Sequence, residues 1–344
     1  MSELWNPWEI SERPYPKKGK PSDKLRYLLN YAILAPSGHN SQPWLFKIFG
    51  DEVELYADRR RALPVCDPED RELVMACGAA LLNLRLALRH FGYEGKAKTF
   101  PKKDEPDLLA RVGFGEKRKP NAEDDLLFQA ITQRRTNRMP FEPRDIPEKV
   151  LSDLEVAASK EGAWLHFVLD ENDRNKVADL VAKGDRIQMA NPSFRRELAA
   201  WMHRNRTVSH DGMPGYALGI EGLTSNLAPI VVRTFDFGEG QAAKDRQLAT
   251  GSPVLAVLGT DANTIEGWLS GGQALERVLL RARADDVWAS FLNQPIEVAE
   301  LLAKLRDTLG VKGFPQLLLR LGYGRNVKPT PRKTPGEVLM RPLR

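Results

Sequence analysis

Residues 78–101 read GAALLNLRLALRHFGYEGKAKTFP, and residues 272–295 read GQALERVLLRARADDVWASFLNQP. The two stretches align without a gap from the first glycine to the final proline, and each predicts a helix followed by a strand. Identical residues recur along the helical part: Ala80 with Ala274, Leu81 with Leu275, and Leu86 with Leu280. Self-similarity of this kind indicates an internal repeat.

A second pair of segments agrees in the same order along the chain. LLNYAILAPSGHNSQPWLFKIF (28–49) and VLSDLEVAASKEGAWLHFVL (150–169) each predict a helix and then a strand, but the second lacks the polar loop of the first. Leucine and alanine dominate many helices, so chance could explain either match alone. Both matches in one order favour duplication, with halves at 20–115 and 120–340 packed like a dimer.

Apolar spacing predicts a mixture of helices and strands, the α+β class. Helices are predicted at 22–35, 68–91, 124–134, 147–159, 171–183, 193–204 and 267–285. Strands are predicted at 44–50, 52–57, 93–101, 163–170, 252–260 and 286–292. Residues 186–226 have no counterpart in the first half, and a long insertion of this kind is either a lid or a plain surface excursion.

The composition is that of a globular protein with a sizeable core: 42% of the 344 residues are hydrophobic and 28% charged. The net charge of +5 is dispersed and accompanied by no nucleic-acid motif, which argues against a nucleic-acid partner. The two cysteines, Cys66 and Cys77, match no zinc spacing and indicate a reducing compartment. With no signal-like apolar run and no window near the ~18 apolar residues of a membrane span, we expect a cytoplasmic protein.

An arginine cluster follows the helix predicted at 124–134. The run QRRTNR places Arg134, Arg135 and Arg138 around the hydroxyl of Thr136. Guanidinium groups bind phosphate through bidentate, charge-assisted bonds, so this run predicts a phosphate site. The alternative is a solvated basic helix end, favourable against the helix dipole. A late basic segment, 321–335, carries further cations in a proline-stiffened stretch that is either part of the same site or a solvated tail.

The loop APSGHNSQPW (35–44) holds more turn-formers and polar groups than a simple connector needs. Pro36 restricts the preceding residue to extended geometry and ends the helix. Gly38 permits a positive φ and has no Cβ to clash with a bound ligand. The side chains of Ser37, Asn40 and Gln42 can donate and accept hydrogen bonds. The loop therefore predicts a ligand-binding segment, and the alternative is an ordinary helix-to-strand connector.

Taken together, RRTNR, PSGHNSQPW, SGGQALERVLL, ASFLNQP and FPQLLLRLGYG resemble the FMN-dependent nitroreductase family, and within it the long, internally duplicated Acg-like branch. The resemblance covers residues 20–340. It implies a nitroreductase-like fold, in which two similar α+β halves of one chain mimic the family homodimer. In that homodimer, each of two interface sites holds one FMN.

The resemblance also implies roles for individual residues. Those expected at the phosphate end of FMN are Arg134, Arg135, Thr136, Arg138, Arg332 and Lys333. Those expected along the flavin ring are Pro36, Ser37 and Gly38, with Asn40 and Gln42 supporting the loop. Ser290 and Phe291 are expected to bring backbone amides near flavin N5. No side-chain acid or base and no metal ion is implied, because the hydride chemistry belongs to the cofactor.

Each half supplies the part of the FMN site that the other lacks. The first half keeps the ring loop but reads ISERPYPKKGK (10–20) where the arginine run would stand, and the second keeps RRTNR but has lost the ring loop. We therefore expect one complete site, one FMN per chain and a monomeric, pseudo-dimeric functional unit.

The expected activity is NAD(P)H-dependent, ping-pong reduction of a small electron acceptor such as a nitroaromatic or a quinone. If the insertion stays closed over the flavin, the alternative is FMN storage with little reductase activity. An oxidase that passes electrons to oxygen and a scaffold without flavin are further alternatives. His39 is expected to be a hydrogen-bonded loop histidine rather than an acid. Trp44, Phe291 and Leu292 either shape a substrate pocket or belong to the core.

Overall fold

Two four-stranded antiparallel sheets and the helices between them make up the fold. The computed structural model describes residues 6–220 and 222–340. Its strands are β1 (Trp44–Phe49), β2 (Glu52–Ala57), β3 (Tyr93–Thr99), β4 (Leu108–Lys117), β5 (Trp164–Val168), β6 (Met202–His203), β7 (Met213–Pro214), β8 (Val254–Thr260), β9 (Trp288–Phe291) and β10 (Phe314–Gly322). Its α-helices are α1 (Pro21–Ala32), α2 (Arg71–His90), α3 (Ala122–Ile131), α4 (Glu148–Ser159), α5 (Glu171–Ala190), α6 (Pro192–Ala200), α7 (Ala228–Thr234), α8 (Gly238–Thr250), α9 (Ile265–Ala284), α10 (Gln294–Glu297), α11 (Ala299–Leu309) and α12 (Pro335–Val338). The α+β class is confirmed.

The two sheets have the same strand order. The first is ordered β1-β2-β4-β3 and the second β5-β8-β10-β9, so in each sheet the third and fourth strands along the chain exchange places. A helix precedes the first strand of each sheet, α1 or α4, and a long helix joins the second strand to the third, α2 or α9. One sheet lies in each of the two expected halves.

The long helices α2 and α9 pack against each other at two glycines. A Cβ at Gly78 would clash with the carbonyl oxygen of Leu269, and a Cβ at Gly272 would clash with that of Met75. Leu269 lies three residues before Gly272, and Met75 lies three residues before Gly78. Each helix therefore places its glycine against the carbonyl group three residues before the glycine of the other helix. Reciprocal contacts of this kind are the geometry of a two-fold interface. The two glycines are also those that open the aligned stretches of sequence.

Among the described residues, α2 alone is long and apolar enough to cross a membrane by length and composition. The prediction that no window approaches such a span is therefore wrong for this helix. However, 83% of its apolar window is buried inside the fold. A core helix with this degree of burial passes the same test without meeting lipid.

Several elements differ from their prediction. The helix predicted at 193–204 ends at Ala200, because the chain turns at Trp201 and Met202 then pairs with Met213 in the small β6–β7 sheet. Strands β4 and β10 and helices α7, α8 and α11 were not predicted. β10 is buried along almost its whole length, but Gln316 and Arg320 interrupt its apolar residues, so neither an alternating nor a continuously apolar pattern marks it as a strand.

The end of the chain crosses from the second sheet to the first. Leu339 forms a parallel bridge with Phe46 of β1, and the amide of Met340 donates to the Phe46 carbonyl at 2.7 Å. This crossing carries the late basic segment past the loop that precedes β1. It thereby places Arg332 beside a loop almost 300 residues away in sequence.

Candidate functional site

The loop between α1 and β1, the ring loop (residues 35–43), has a strained backbone. His39, Asn40 and Gln42 have φ values of 50°, 56° and 52°, in the left-handed region that non-glycine residues rarely adopt. Such residues cost about 1–3 kcal/mol each and cluster at functional sites. The positive φ that Gly38 permits is not used by Gly38 itself but occurs at residues that follow it. A Cβ at Gly38 would make a tight contact of 3.0 Å with Leu63 Cδ1, the end of a flexible side chain.

Hydrogen bonds from inside and outside the loop hold this strain in place. Ser37 Oγ accepts from the Gln42 amide at 2.9 Å. Asn40 Oδ1 accepts from the Arg332 guanidinium at 2.6 Å, and Gln42 Oε1 accepts from the Lys333 amide at 2.9 Å. The ring loop and the late basic segment are thus one connected unit.

The arginine run is fixed against the edge of the second sheet. After α3 the chain is extended, Thr136 bridges to Ala289 of β9, and the Asn137 amide donates to the Ala289 carbonyl at 3.0 Å. Arg320 of β10 donates to the Asn137 carbonyl, also at 3.0 Å. The backbone of the arginine run is therefore held by pairing with β9. The run does not form a solvated helix end.

Four guanidinium groups from two distant segments meet in one cleft of about 130 Å³, here called the arginine cleft: Arg134, Arg135, Arg138 and Arg332. Trp8 forms part of its wall, with the Arg135 guanidinium 3.8 Å from the centre of its ring. Trp8 was not predicted as a site residue, because it stands near the N-terminus outside any recognisable motif.

The arginine cleft carries an excess of positive charge. The nearest carboxylate is Glu276 on α9, with Oε1 3.5 Å from Arg134 Nε. Burial, together with repulsion from Arg134 and Arg135, holds the pKa of Arg332 well below its usual range. Burial and the charge of Arg134 lower the pKa of Arg135 to about 9. An anion such as a phosphate would relieve this repulsion.

An unsatisfied donor points to the same conclusion. Among the described residues, the buried Nε atom of Arg332 has no hydrogen-bond partner, whereas that of Arg134 faces Glu276 Oε1 at 3.5 Å. Buried donors of charged groups are seldom left unpaired. The donor set thus fits a dianion with several acceptor oxygens.

A second cavity of about 560 Å³, here called the large cavity, adjoins the arginine cleft, and Thr136, Arg138 and Arg332 belong to both walls. Further predicted site residues that line the large cavity are Pro36, Ser37, Gly38, Asn40, Ser290 and Phe291. Gln42 and Lys333 line neither cavity and act through the loop hydrogen bonds. Leu292 lies in the wall of the large cavity, whereas Trp44 is fully buried in the core.

His39 lines the large cavity, but the expectation of a hydrogen-bonded loop histidine is wrong. Its Nε2 atom is buried and has no partner among the described residues. Burial, with a smaller contribution from Arg138, lowers the pKa of His39 to about 4. The imidazole is therefore neutral at physiological pH and cannot serve as a proton donor in its cationic form.

The insertion 186–226 lies directly on the ring loop and the arginine run. The Asn40 side chain donates to the Gly212 carbonyl at 2.8 Å, and the Gln42 side chain donates to the His210 carbonyl at the same distance. Arg138 donates to the Ala217 carbonyl at 3.3 Å. Residues of the insertion therefore cover one side of the large cavity.

Sequence reasoning missed four carboxyl groups in the wall of the large cavity: Glu72, Asp185, Asp245 and Glu297. They come from α2, α5, α8 and α10, so no local motif joins them. Gln294 donates to both Asp185 and Asp245 at 3.0 Å. Burial and the neighbouring Asp245 raise the pKa of Asp185 to about 7.

The site is composite, since the ring loop comes from the first half of the chain and the arginine run, β9 and the insertion come from the second. The chain belongs to the nitroreductase family, within the Acg-like branch. A Mycobacterium tuberculosis H37Rv protein named "Putative NAD(P)H nitroreductase Rv3131" is 30% identical over 325 residues, 92% of this chain and 91% of that protein. "Putative NAD(P)H nitroreductase acg" of the same strain is 28% identical over 321 residues, 91% and 93% of the two chains.

Solved structures give a more distant comparison. The FMN-dependent nitroreductase NfnB from Mycobacterium smegmatis, in complex with NADPH, is 17% identical, with a TM-score of 0.40, over 64% of this chain and 99% of that chain. No family model matches the chain.

Proposed function

We propose that the protein binds one FMN per chain and uses NAD(P)H to reduce a small electrophile, such as a nitroaromatic or a quinone. The observation that carries this proposal is the arginine cleft, which opens onto a large cavity lined by the ring loop. An anion-binding end joined to a roomy, partly apolar cavity suits a phosphorylated ring cofactor. The names of the mycobacterial relatives point to the same chemistry.

Each part of the site has a role in this proposal. Arg134, Arg135, Arg138 and Arg332, with the Thr136 hydroxyl, bind the phosphate. Pro36, Ser37 and Gly38 line the ring, and Ser290 and Phe291 present the backbone of β9 to it. Asn40, Gln42 and Lys333 hold the loop in its strained form. When bound, FMN would accept and donate hydride at N5.

We infer that no second FMN site forms, because the segments that correspond to the arginine run and the ring loop make other contacts. In segment 10–20, Tyr15 stacks on Phe91 with ring centres 4.0 Å apart. In the loop between α4 and β5, Glu161 forms ion pairs with Arg85 and Arg277, each at 2.6 Å. An aromatic stack and a buried ion-pair network leave neither an arginine run nor a ring loop there. We therefore take the monomeric chain as the functional unit, with halves at 20–115 and 120–340.

An anaerobic visible spectrum of the FMN-loaded protein, before and after NADPH is added, tests the activity. Rapid bleaching of the flavin band is expected, and NADH is tried in the same way. A chain that binds no flavin would refute the proposal entirely. A flavin band that persists with both nucleotides but bleaches with dithionite would refute the reductase and leave the binding intact.

A second candidate, FMN storage under a closed lid, is favoured by the contacts of the insertion. Hydrogen bonds to Asn40, Gln42 and Arg138 tie residues 186–226 to the ring loop and the arginine run. If this lid does not open, nicotinamide cannot stack on the ring. The dithionite result above separates this candidate from the reductase.

The two cysteines are free and buried, which is compatible with a reducing compartment such as the cytoplasm. We propose that location together with the function.

A further inference from the structure

Glu72 stands where the large cavity meets the ring loop. It lies in the first turn of α2, and its side chain is 11% exposed. A Cβ built at Gly38 would lie 3.7 Å from Glu72 Oε2, so this oxygen faces the loop that is proposed to line the flavin ring. The carboxyl group therefore lies beside the loop that is proposed to bind the flavin ring.

The two oxygens of Glu72 have different surroundings. Oε1 accepts from Arg71 at 2.9 Å and from Asn293 Nδ2 at 3.1 Å. The orientation of the Asn293 amide is fixed, because its Oδ1 accepts from the Leu318 amide at 3.0 Å. Within the described part of the chain, Oε2 accepts no hydrogen bond. A proton on this carboxyl group is therefore expected on Oε2, facing the cavity.

The neighbours of Glu72 favour its protonated form. Burial of the carboxyl group is the largest influence, and repulsion from Glu297 of α10 is the next. Together with repulsion from Asp67, they outweigh the attraction of Arg71 and raise the pKa of Glu72 to about 8. The Cys66 thiol is nearby and its own pKa is raised by burial, so it adds no charge at neutral pH. Glu72 is consequently an acid that keeps its proton at neutral pH.

We propose that Glu72 is a catalytic proton donor to the electron acceptor, an inference that rests on the proposed reductase function. In the reduction of a quinone, the acceptor takes an electron pair and one hydrogen as hydride from the reduced cofactor. Glu72 Oε2 donates the second hydrogen as a proton, so the quinone leaves as a neutral hydroquinone with two new O–H bonds. The resulting Glu72 carboxylate regains its proton from solvent.

The test compares two acceptors in single-turnover, stopped-flow reoxidation of the NADPH-reduced protein. 1,4-Benzoquinone takes up protons on reduction, whereas ferricyanide takes one electron and no proton. For E72Q we expect reoxidation by benzoquinone to slow about 100-fold, as is typical on loss of a general acid, with ferricyanide reoxidation unchanged. E239Q makes the same change at an exposed glutamate of α8 and is expected to behave as the unmodified protein.

Two further variants guard against a merely structural effect. E72D keeps the acid and is expected to recover part of the benzoquinone rate. E297Q removes the carboxyl group that repels the Glu72 carboxylate most strongly, so the alkaline limb of the benzoquinone rate should move to lower pH. Benzoquinone rates that are equal in E72Q and the unmodified protein would overturn the proposal, as would equal slowing with both acceptors.

A measurement without cofactor tests the protonation of Glu72 on its own. Because folding favours the protonated acid, its contribution to stability is complete below the ordinary glutamate pKa and is lost as the pH rises towards about 8. The melting temperature of E72Q should therefore fall less between pH ~5 and ~9 than that of the unmodified protein. Parallel curves would contradict the protonated Glu72. If the unmodified protein neither binds FMN nor is reduced by NADPH, the proposed reductase function is refuted. The melting curves would still test whether Glu72 is protonated.

Discussion

The crossing of α2 and α9 offers a sharp test of the two-fold packing. In Gly272→Ala, the added methyl group would overlap the carbonyl oxygen, carbonyl carbon and Cα of Met75, each closer than real Cβ contacts allow. All three atoms belong to the backbone, so no side-chain rotation can relieve the overlap. The two helices must move apart, and we expect the protein to be destabilised.

The size of the effect follows from two opposing contributions. Alanine stabilises a helix relative to glycine by up to about 1 kcal/mol. Overpacking a close-packed interface costs about 1–3 kcal/mol, and the upper end applies here because the overlap is with backbone atoms. We expect a net loss of about 2 kcal/mol. With an unfolding entropy of about 2.1 cal/mol/K per residue, this is a fall in melting temperature of about 3 °C for a chain of 344 residues.

Thermal unfolding followed by circular dichroism provides the assay, with Gly240→Ala as the matched control. Gly240 lies in α8 and has nothing within 4 Å of an added Cβ, so its substitution should leave the melting temperature unchanged or raise it. Gly78→Ala should resemble Gly272→Ala. The double variant should lose less than the sum, because one separation of the helices accommodates both methyl groups. A melting temperature for Gly272→Ala at or above that of the unmodified protein would refute the reasoning.

Three further predictions concern the site. Arg135→Ala should weaken FMN binding about 10- to 100-fold in a fluorescence titration. Arg144→Ala, which removes another arginine stacked on an aromatic ring, should leave the affinity unchanged. Equal affinities of Arg135→Ala and the unmodified protein would show that Arg135 does not bind the phosphate. Asp185→Asn should flatten the fall in melting temperature from pH ~4 to ~7, because a contribution on the order of 4 kcal/mol is lost as the buried acid ionises. Asp179→Asn, an exposed change in α5, should leave the curve as it is. FMN should slow proteolytic cleavage within 186–226, and equal cleavage with and without FMN would contradict the lid.

The repeated stretches of sequence allowed much of the architecture to be predicted. The aligned glycines Gly78 and Gly272 are found at the helix crossing, and the two strand orders agree as two similar halves require. β10 could not be predicted because buried Gln316 and Arg320 interrupt its apolar residues, and it therefore lacks the continuous apolar run that marked the equally buried β8. The end of α6 depended on Met202 pairing with Met213, a contact that no local pattern reveals.

The candidate site was predicted where it is local in sequence and missed where it is not. The ring loop, the arginine run and Arg332 were singled out from their own residues and the family resemblance, and the structure brings them together. Trp8 and the four carboxyl groups come from separate elements, so only the fold makes them neighbours. The left-handed backbone of His39, Asn40 and Gln42 was not predicted, because hydrogen bonds from distant segments, and not residue preference, hold the loop.

We propose that the two halves of one chain build a single FMN site. To test this, the purified protein is saturated with FMN, the excess is removed, and flavin per chain is determined from absorbance together with the mass of the native complex. One flavin in a monomer is expected. Two flavins per chain would contradict the single composite site, and none would contradict the assignment of the arginine cleft to a cofactor phosphate.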